Sequence, residues 1–346
     1  MIGSVIALGE INGQKAAAWI VDGRLEDLIV DAGEDAPPAP GAIFRAKGGR
    51  SLKGMGGALL DLPNGEQAYL RGNKGLKPGA PMLVQVSHIA EPGKAVPVLT
   101  RLLFKSKYAI ITPEAPGLNI SRQISDDEAL IRLHELASEG MDGADETLGL
   151  ILRSACEGAT DEAVADDIAA MRTLAEAVLA DLPGTPELLV DGPDAWEVAW
   201  RDWPEVDVFD DSEQAFDNHG VHELIDAALD PRVPLKSGAS AYIEPTRALV
   251  AIDVNTGGDF SPAAGTKANI ALARDLPRQL RLRGLAGQIT IDLAPMPKKD
   301  RLPFEQALKA AFKSDGNDTV LAGWTPLGHF EIQKKRTRVP LTQALS

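Results

Sequence analysis

The segments Ala251-Ile-Asp-Val-Asn-Thr-Gly257 and Ile289-Thr-Ile-Asp-Leu293 constrain this chain more than any other feature. Each is a short run of apolar and β-branched residues, the pattern of a buried strand, and each ends on a carboxylate. Leu249 to Ile252 precede Asp253, and Ile289 to Ile291 precede Asp292. An ionised carboxylate is costly to bury unless it is paired or holds a cation. Two of them ending neighbouring strands therefore suggest a divalent-metal site. A helix is expected between them, over about 266–283, with Pro277 as a candidate kink. Helical spacing brings Arg274, Arg278 and Arg281 near one face, and guanidinium matches phosphate geometry. Carboxylates for a metal beside arginines for phosphate describe a site that cleaves phosphodiesters.

Each part has a plainer reading when taken singly. A strand-end Asp commonly caps a turn or a following helix, Asn255-Thr-Gly-Gly258 would serve as a turn, and the arginines as a solvated helix face. The weight lies in their ordered co-occurrence. Asn255, two residues beyond Asp253, points to the same side of a continuing strand, where its amide would orient water or phosphate. Asp259 is assigned to the loop. Lys298, Lys299 and Arg301 follow the second strand and would line the path of a nucleic acid. His219 and His222, at helical i, i+3 spacing, lack a third ligand and read as a surface pair at a helix start. His329, in Gly328-His-Phe-Glu331, reads as a core or surface residue. Neither a G-x-x-x-x-G-K-[ST] phosphate loop nor a G-x-S-x-G elbow occurs.

The stretch Ala248 to Gly258, then Asn269, then Arg278-Gln-Leu-Arg-Leu-Arg283, then Ile289-Thr-Ile-Asp292, resembles the catalytic core of the ribonuclease E/G family. The resemblance extends, more weakly, over nearly the whole chain. It implies an α+β fold of several subdomains. An RNase H-like subdomain would be assembled from 1–38 and 183–245, with an OB-fold RNA-binding barrel at 39–103 and a 5′-sensor-like region at 104–182 inserted. A DNase I-like α/β catalytic subdomain would follow at 246–346. The implied activity is metal-dependent endonucleolytic hydrolysis of single-stranded RNA. Asp253 and Asp292 would bind Mg2+, with Mn2+ as the alternative, and Asn255 would complete the catalytic group. Arg278, Arg281, Arg283 and Lys298 would meet RNA phosphates. In Leu150-Ile-Leu-Arg-Ser-Ala155, Arg153 and Ser154 match the family's pocket for an RNA 5′-monophosphate. Two departures stand out: Asp318 falls where the family usually supplies a basic residue to that pocket, and Leu59 where it often carries an exposed aromatic.

The chain passes from short strands to mixed and helical structure. Residues 2–31 read as a hairpin or meander turning at Asn12-Gly13 and Asp22-Gly23, and Ala36-Pro-Pro-Ala-Pro-Gly41 marks a boundary. Candidate strands at 42–47, 57–62, 67–70, 81–89 and 96–103 suit a small barrel such as an OB-fold. Phe44 and Tyr69 are its main candidates for stacking bases, although barrel core is the plainer role for Phe44. Ser125 with Glu128 offers a capping box for a helix to about 138. A strand at 148–153 and an Ala-rich helix at 161–182 follow. Strands are expected at 187–190, 206–209 and 239–244, with a helix near 220–229.

Charge is the conflicting signal. The 346 residues carry 35 Lys and Arg against 50 Asp and Glu, a net charge of −15, whereas affinity for phosphate comes from Lys and Arg. Distribution resolves part of this. Acid is dense over 125–230, and base gathers at 47–53, 94–107, 274–283, 298–301 and 334–338. A local basic channel suffices for an enzyme, with marked salt sensitivity. The single cysteine, Cys156, excludes an internal disulfide and a cysteine-rich zinc cluster. No apolar run reaches membrane-spanning length and no secretory signal is visible, so a cytoplasmic protein is expected. Family members commonly continue into a Cys-Pro-x-Cys zinc link and a dimerisation domain. This sequence ends at Ser346, so no zinc and no zinc-linked dimer are expected, and a monomer or weak dimer is. Two rival readings remain in view: a noncatalytic RNA-binding protein retaining the fold, and a metal-dependent phosphoesterase acting on other substrates, DNA included.

Overall fold

Asn12-Gly13 and Asp22-Gly23 set the first element. The computed structural model describes residues 3–33, 36–52, 54, 56–72, 76–91, 93–316 and 319–346. All four turn residues take positive φ, between 50° and 77°, the geometry that two-residue hairpin loops demand. They join β1 (Ser4–Ile11), β2 (Gln14–Val21) and β3 (Arg24–Val30) into an antiparallel meander. The chain divides into two units. One comprises 1–36, 194–199 and 204–346, and the other 37–193 and 200–203.

The second unit opens with a barrel. Its strands are β4 (Ile43–Leu52), β5 (Gly57–Asp61), β6 (Gln67–Arg71), β7 (Pro81–Val86) and β8 (Val96–Leu99). They run in the order β4-β5-β6-β8-β7, and β7 returns to pair with β4, closing five strands. Only β6 and β8 are parallel within it, an arrangement consistent with an OB-fold. Inward residues such as Ala46, Leu60, Ala68, Val84 and Val98 fill the interior. Next come β9 (Phe104–Lys105), β10 (Ala109–Pro113), β11 (Gly117–Ile120), α1 (Asp127–Gly140), β12 (Leu148–Leu152) and α2 (Asp161–Ala180). The four strands form a sheet ordered β11-β12-β10-β9, and Leu133, Ala137, Val164 and Ile168 of the helices share a core with its Ile111 and Leu150. The cap of α1 is Asp126, which accepts the Ala129 N–H at 2.8 Å, where Ser125 was expected. β13 (Glu187–Val190) pairs with β4, not with the other strands of 183–245. The buried Arg45 explains this: it donates to Thr185 O and Asp181 O and pairs with Glu187 and Asp181, tying 181–187 to the barrel.

The sequence reading missed α3 (Ala195–Asp202). Its start, in the first unit, carries a capping box, with Asp194 accepting the Glu197 N–H at 2.8 Å and Glu197 the Asp194 N–H at 2.9 Å. Tertiary partners add to it: Asp31 accepts the Ala195 N–H at 2.7 Å, and the Trp196 indole donates to Gly9 O and Ala16 O. β14 (Val208–Asp210) runs parallel to β1, and α4 (Ala215–Asn218) and α5 (Val221–Leu229) follow. A six-stranded sheet then forms in the order β15-β16-β17-β18-β20-β19. It contains β15 (Arg232–Pro234), β16 (Ser240–Pro245), β17 (Val250–Asn255), β18 (Gly287–Asp292), β19 (Thr319–Trp324) and β20 (Phe330–Lys334). α6 (Ala264–Leu282) connects β17 to β18, α7 (Arg301–Asp315) precedes β19, and α8 (Leu341–Ala344) ends the chain. β17 and β18 are the sheet's one parallel pair, as a strand–helix–strand crossover requires. Leu272, Leu276 and Leu280 of α6 and Phe304 and Leu308 of α7 pack against Ile252, Ile289, Ile291 and Phe330. Pro277 lies inside α6 without ending it.

Asp31 carries a pH signature. Burial, aided by the neighbouring Asp194, pushes its carboxyl up to about 6 against the pull of the Ala195 N–H and Lys15. The folded chain then binds more protons than the unfolded chain between about pH 4 and 6, so stability from this group is lost as pH rises through that window. Asp31→Asn keeps an acceptor for Ala195 and removes the charge. Its melting temperature is expected to exceed the parent's at pH 7.5, with the gap closing by pH 4. Thermal melts at both values check this, and an equal offset at both would refute it.

Candidate active site

The β17–α6–β18 unit sets Asp253 and Asp292 side by side. They are register partners on adjacent parallel strands, so their backbones stand about 4.8 Å apart. Ile252, Val254, Ile289 and Ile291 turn inward and both carboxylates face solvent; the Asp292 side chain is 69% exposed. This corrects the premise that the strand-end acids are buried. What marks the site is the juxtaposition of like charges across neighbouring strands, which disfavours the pairing unless a cation sits between them. Asn255 projects to the same side and its Nδ2 donates to Asp253 Oδ2 at 2.8 Å.

Two close contacts fix the loops around these acids. Asn269 of α6, fully buried, donates to Ala294 O at 2.8 Å and accepts the Ala294 N–H at 3.0 Å. It thereby clamps the segment that follows Asp292. Gly265, in the first turn of α6, faces the Pro295 carbonyl so closely that a Cβ would collide with it. His329, just ahead of β20, brings Nε2 to 3.7 Å from Asp292 Oδ1, an ion-pair approach rather than a hydrogen bond. The sequence reading set it near the active-site sheet but gave it a core or surface role. The available signal was its position beside a strand that pairs with β18, Phe330 opposite Ile291. Lys298 and Lys299 are exposed in the turn that follows, and Arg301 stacks on Trp324 at 4.1 Å. Asp259 accepts the Ser261 N–H and approaches Lys267, a loop role. His219 bonds Asp210 at 2.9 Å and His222 approaches Asp217, so the two histidines share no ligand set.

No group of three or more His, Cys, Asp or Glu gathers for a metal among the described residues. The exposed carboxylate pair nonetheless fits Mg2+, which binds through one or two carboxylates and keeps several waters. It does not fit a closed four-ligand zinc site.

The arginines of 278–283 sit toward the other end of α6, a helix about 28 Å long. Arg278 donates to Leu25 O and Asp275. Arg281 donates to Glu26 O at 2.8 Å and pairs with Asp27 and Asp315. Arg283, buried, donates to Gln279 and to Asp230 O. Their donors bind α6 to β3 and its surroundings, where the sequence reading had placed RNA phosphate. Arg153 is engaged likewise: it donates to Ser106 O at 2.6 Å, to Arg201 O and to Asp202. Ser154 beside it is exposed, and Asp318 lies outside the described residues. Phe44, 4% exposed, is barrel core and offers bases no ring face. Tyr69 is half-buried, opposite Leu59 on β5. An aromatic the sequence reading overlooked, Trp200, is exposed with Lys107 Nζ 4.7 Å from its ring.

Asp202 anchors the Arg153 cluster. Burial alone would raise its carboxyl, but hydrogen bonds from Arg201 and Lys105 outweigh that and hold it at about 2. Its stabilisation is present above about pH 4 and lost as pH falls toward 2. Asp202→Asn would leave Lys105, Arg153 and Arg201 facing one another. It is expected to cost about 2 kcal/mol in urea unfolding at pH 7, with the difference from the parent shrinking as pH falls from 4 toward 2.

The sequence is similar to known proteins over most of its length. The sequence profile of the ribonuclease E/G family matches residues 104–208 and 199–337. Over 95% of its length the chain is 25% identical to ribonuclease G of Salmonella typhimurium, covering 79% of that protein. It is 27% identical to ribonuclease G of Haemophilus influenzae, over 88% of this chain and 74% of the other. Against ribonuclease E of Nostoc sp. the identity is 29%, over 75% of this chain and 44% of the other.

Proposed function

The chain belongs to the ribonuclease E/G family, and on that footing we propose that it is an endoribonuclease hydrolysing phosphodiester bonds in single-stranded RNA. The observation that carries the reading is the register pairing of Asp253 with Asp292, with Asn255 bonded to the first. Asp253 and Asp292 would hold Mg2+, or Mn2+ in its place, which when bound supplies a Lewis acid and a lowered pKa for an attacking water. Asn255 bonds Asp253 Oδ2 and holds its side chain, and Asp253 Oδ1 would remain free to bind a metal. Asn269, by holding Ala294, sets the exit of the strand that carries Asp292. His329, with Nε2 3.7 Å from Asp292 Oδ1, would stand beside a phosphate held at the acids. Lys298 and Lys299 supply exposed positive charge beside the acids for RNA phosphate.

The barrel suits a single-stranded polymer, with Tyr69 as its stacking residue. The β1–β3 and β14 sheet with its helices is read as the RNase H-like part; β15 and β16, expected there within 183–245, pair instead into the sheet of β17–β20, which is read as the DNase I-like catalytic part. No helix among the described residues is long and apolar enough to cross a membrane. A noncatalytic RNA-binding role is the second reading, favoured by the net charge of −15 and the buried Phe44.

The test is incubation of the protein with a fluorescent A/U-rich RNA oligonucleotide and its DNA counterpart, with Mg2+ and with EDTA. Internal cleavage of the RNA, abolished by EDTA, is the expected result. Binding without cleavage in any divalent metal would establish the second reading, and equal cleavage of the DNA would overturn the preference for RNA.

A further inference from the structure

A groove of about 960 Å³ runs along α6 within the first unit, bounded by α5, by β15 with the turn after it, and by the β2–β3 turn. Its floor is apolar, with Leu25, Leu224, Ile270, Ala271 and Leu282. Its rim is cationic, with Arg232, Lys236, Lys267 and Arg274, all exposed. Among the described residues the one carboxylate lining it, Asp275, is already bonded to Arg24 and Arg278. Among the described residues the side chains of Arg232, Lys236 and Arg274 enter no ion pair or hydrogen bond. In a chain with net charge −15, so local an excess of unpaired positive charge over an apolar floor matches a ligand that is anionic along its length and carries flat apolar groups.

One end of the groove lies next to the loops that follow the carboxylate pair. Lys236 opens the turn Lys236–Gly238, and the Gly238 carbonyl meets Gly257, in the loop just after Asn255, so closely that a Cβ there would collide. Lys267 lies one residue from Thr266, whose hydroxyl donates to Asp300 in the turn after β18. Arg274 is two helical turns farther on, about 10 Å along the axis. The cations thus mark a track leading away from the site of cleavage.

We propose that this groove holds the segment of the RNA strand that continues past the scissile bond, with its phosphates on Lys236, Lys267, Arg274 and Arg232 and its bases against the floor. The proposal rests on the ribonuclease reading for the identity of the polyanion; the groove and its charge stand without it.

Binding of a fluorescein-labelled single-stranded RNA of about twenty nucleotides tests it, read by anisotropy over a salt series. The protein carries Asp253→Asn throughout, so that binding is seen without cleavage. Lys236→Gln/Arg274→Gln is expected to weaken binding about tenfold and to lower the salt slope by about 1.4, as two lost phosphate contacts require. The charge-retaining Lys236→Arg/Arg274→Lys is expected to bind like the parent. So is Lys309→Gln/Lys313→Gln, which removes two exposed charges from α7. Unchanged binding by the groove variant overturns the proposal, as does an equal loss in the α7 control or no RNA binding by the parent. Loss of poly-glutamate binding with RNA binding intact also overturns it, in favour of an acidic protein partner. Groove-independent binding in a chain that otherwise cleaves RNA defeats this inference alone. Groove-dependent binding in a chain that cleaves nothing defeats the ribonuclease reading alone.

Discussion

Asp253→Asn and Asp292→Asn should each remove RNA cleavage while the fold and RNA binding survive. Both carboxylates are exposed and neither packs into the core, so an isosteric amide disturbs no contact below them. Relief of two like charges on adjacent strands should leave the melting temperature equal to the parent's or slightly above it. Activity follows the opposite course. Metal-assisted stabilisation of phosphoryl charge contributes several kcal/mol to the transition state, so kcat/KM is expected to fall about 10²–10³-fold for each substitution. The two acids act as one unit on one ion. The double variant should therefore lose little more than either single one. Cleavage rates beside thermal melts make the measurement. Retention of near-parental activity by both single variants would sink the two-carboxylate mechanism. A large fall in melting temperature would mean that the acids support the fold.

Arg281→Met is expected to do the reverse: to damage the fold and spare the chemistry. Arg281 joins Asp27 and Asp315, whose side chains are 5% and 2% exposed. Asp27 retains Arg338, with Nη2 at 2.8 Å from Oδ2. Asp315 retains Lys334 at 3.6 Å, an ion-pair distance too long for a hydrogen bond. Burial pulls the Lys334 ammonium down, and only in part does Asp315 pull it back. Removing one partner from a buried ionic network costs about 3–5 kcal/mol, because the remaining charges stay desolvated. About 3 kcal/mol corresponds to a fall of roughly 6–12 °C in melting temperature for a unit of this size. At temperatures where the variant is folded, its kcat and KM should match the parent's. Were Arg281 instead a phosphate ligand, KM would rise and the melt would hardly move. The pair of measurements separates the two roles.

Local signals were legible wherever the responsible chemistry lies within a few residues. Asn12-Gly13 and Asp22-Gly23 announced the meander because a two-residue loop needs positive φ at those positions. The five barrel strands were visible as short alternating runs between glycine turns, and β17 and β18 as apolar runs ending on Asp. Even Asn255, by alternation alone, was placed on the side of Asp253, where the hydrogen bond forms. The cap of α1 falls one residue on from Ser125, at Asp126, because two adjacent residues offered side-chain acceptors and the sequence alone does not choose between them.

Long-range partners were not legible, and there the functional assignments moved. An arginine in Arg-Gln-Leu-Arg-Leu-Arg announces a strong bidentate donor but not its acceptor. Asp27 and Asp315, far from Arg281 in sequence, are the acceptors it meets in the fold. Arg153 met Asp202 in the same way. α3 had a local start signal that was overlooked, the Asp194–Glu197 capping box, whereas its anchoring by Asp31 and two backbone carbonyls of the meander could not be read from sequence.

The sequence by itself determined the strands, the turns and the two acids, since alternation, glycine conformation and the end of an apolar run are properties of neighbouring residues. Tertiary structure alone decided that β17 and β18 lie parallel with Asp253 opposite Asp292. It also decided which arginines are spent on the fold and which, along α6, stay exposed over an apolar groove. The physical reason is common to both: a charge takes its role from the partner it meets after folding, and the chain's order does not name that partner.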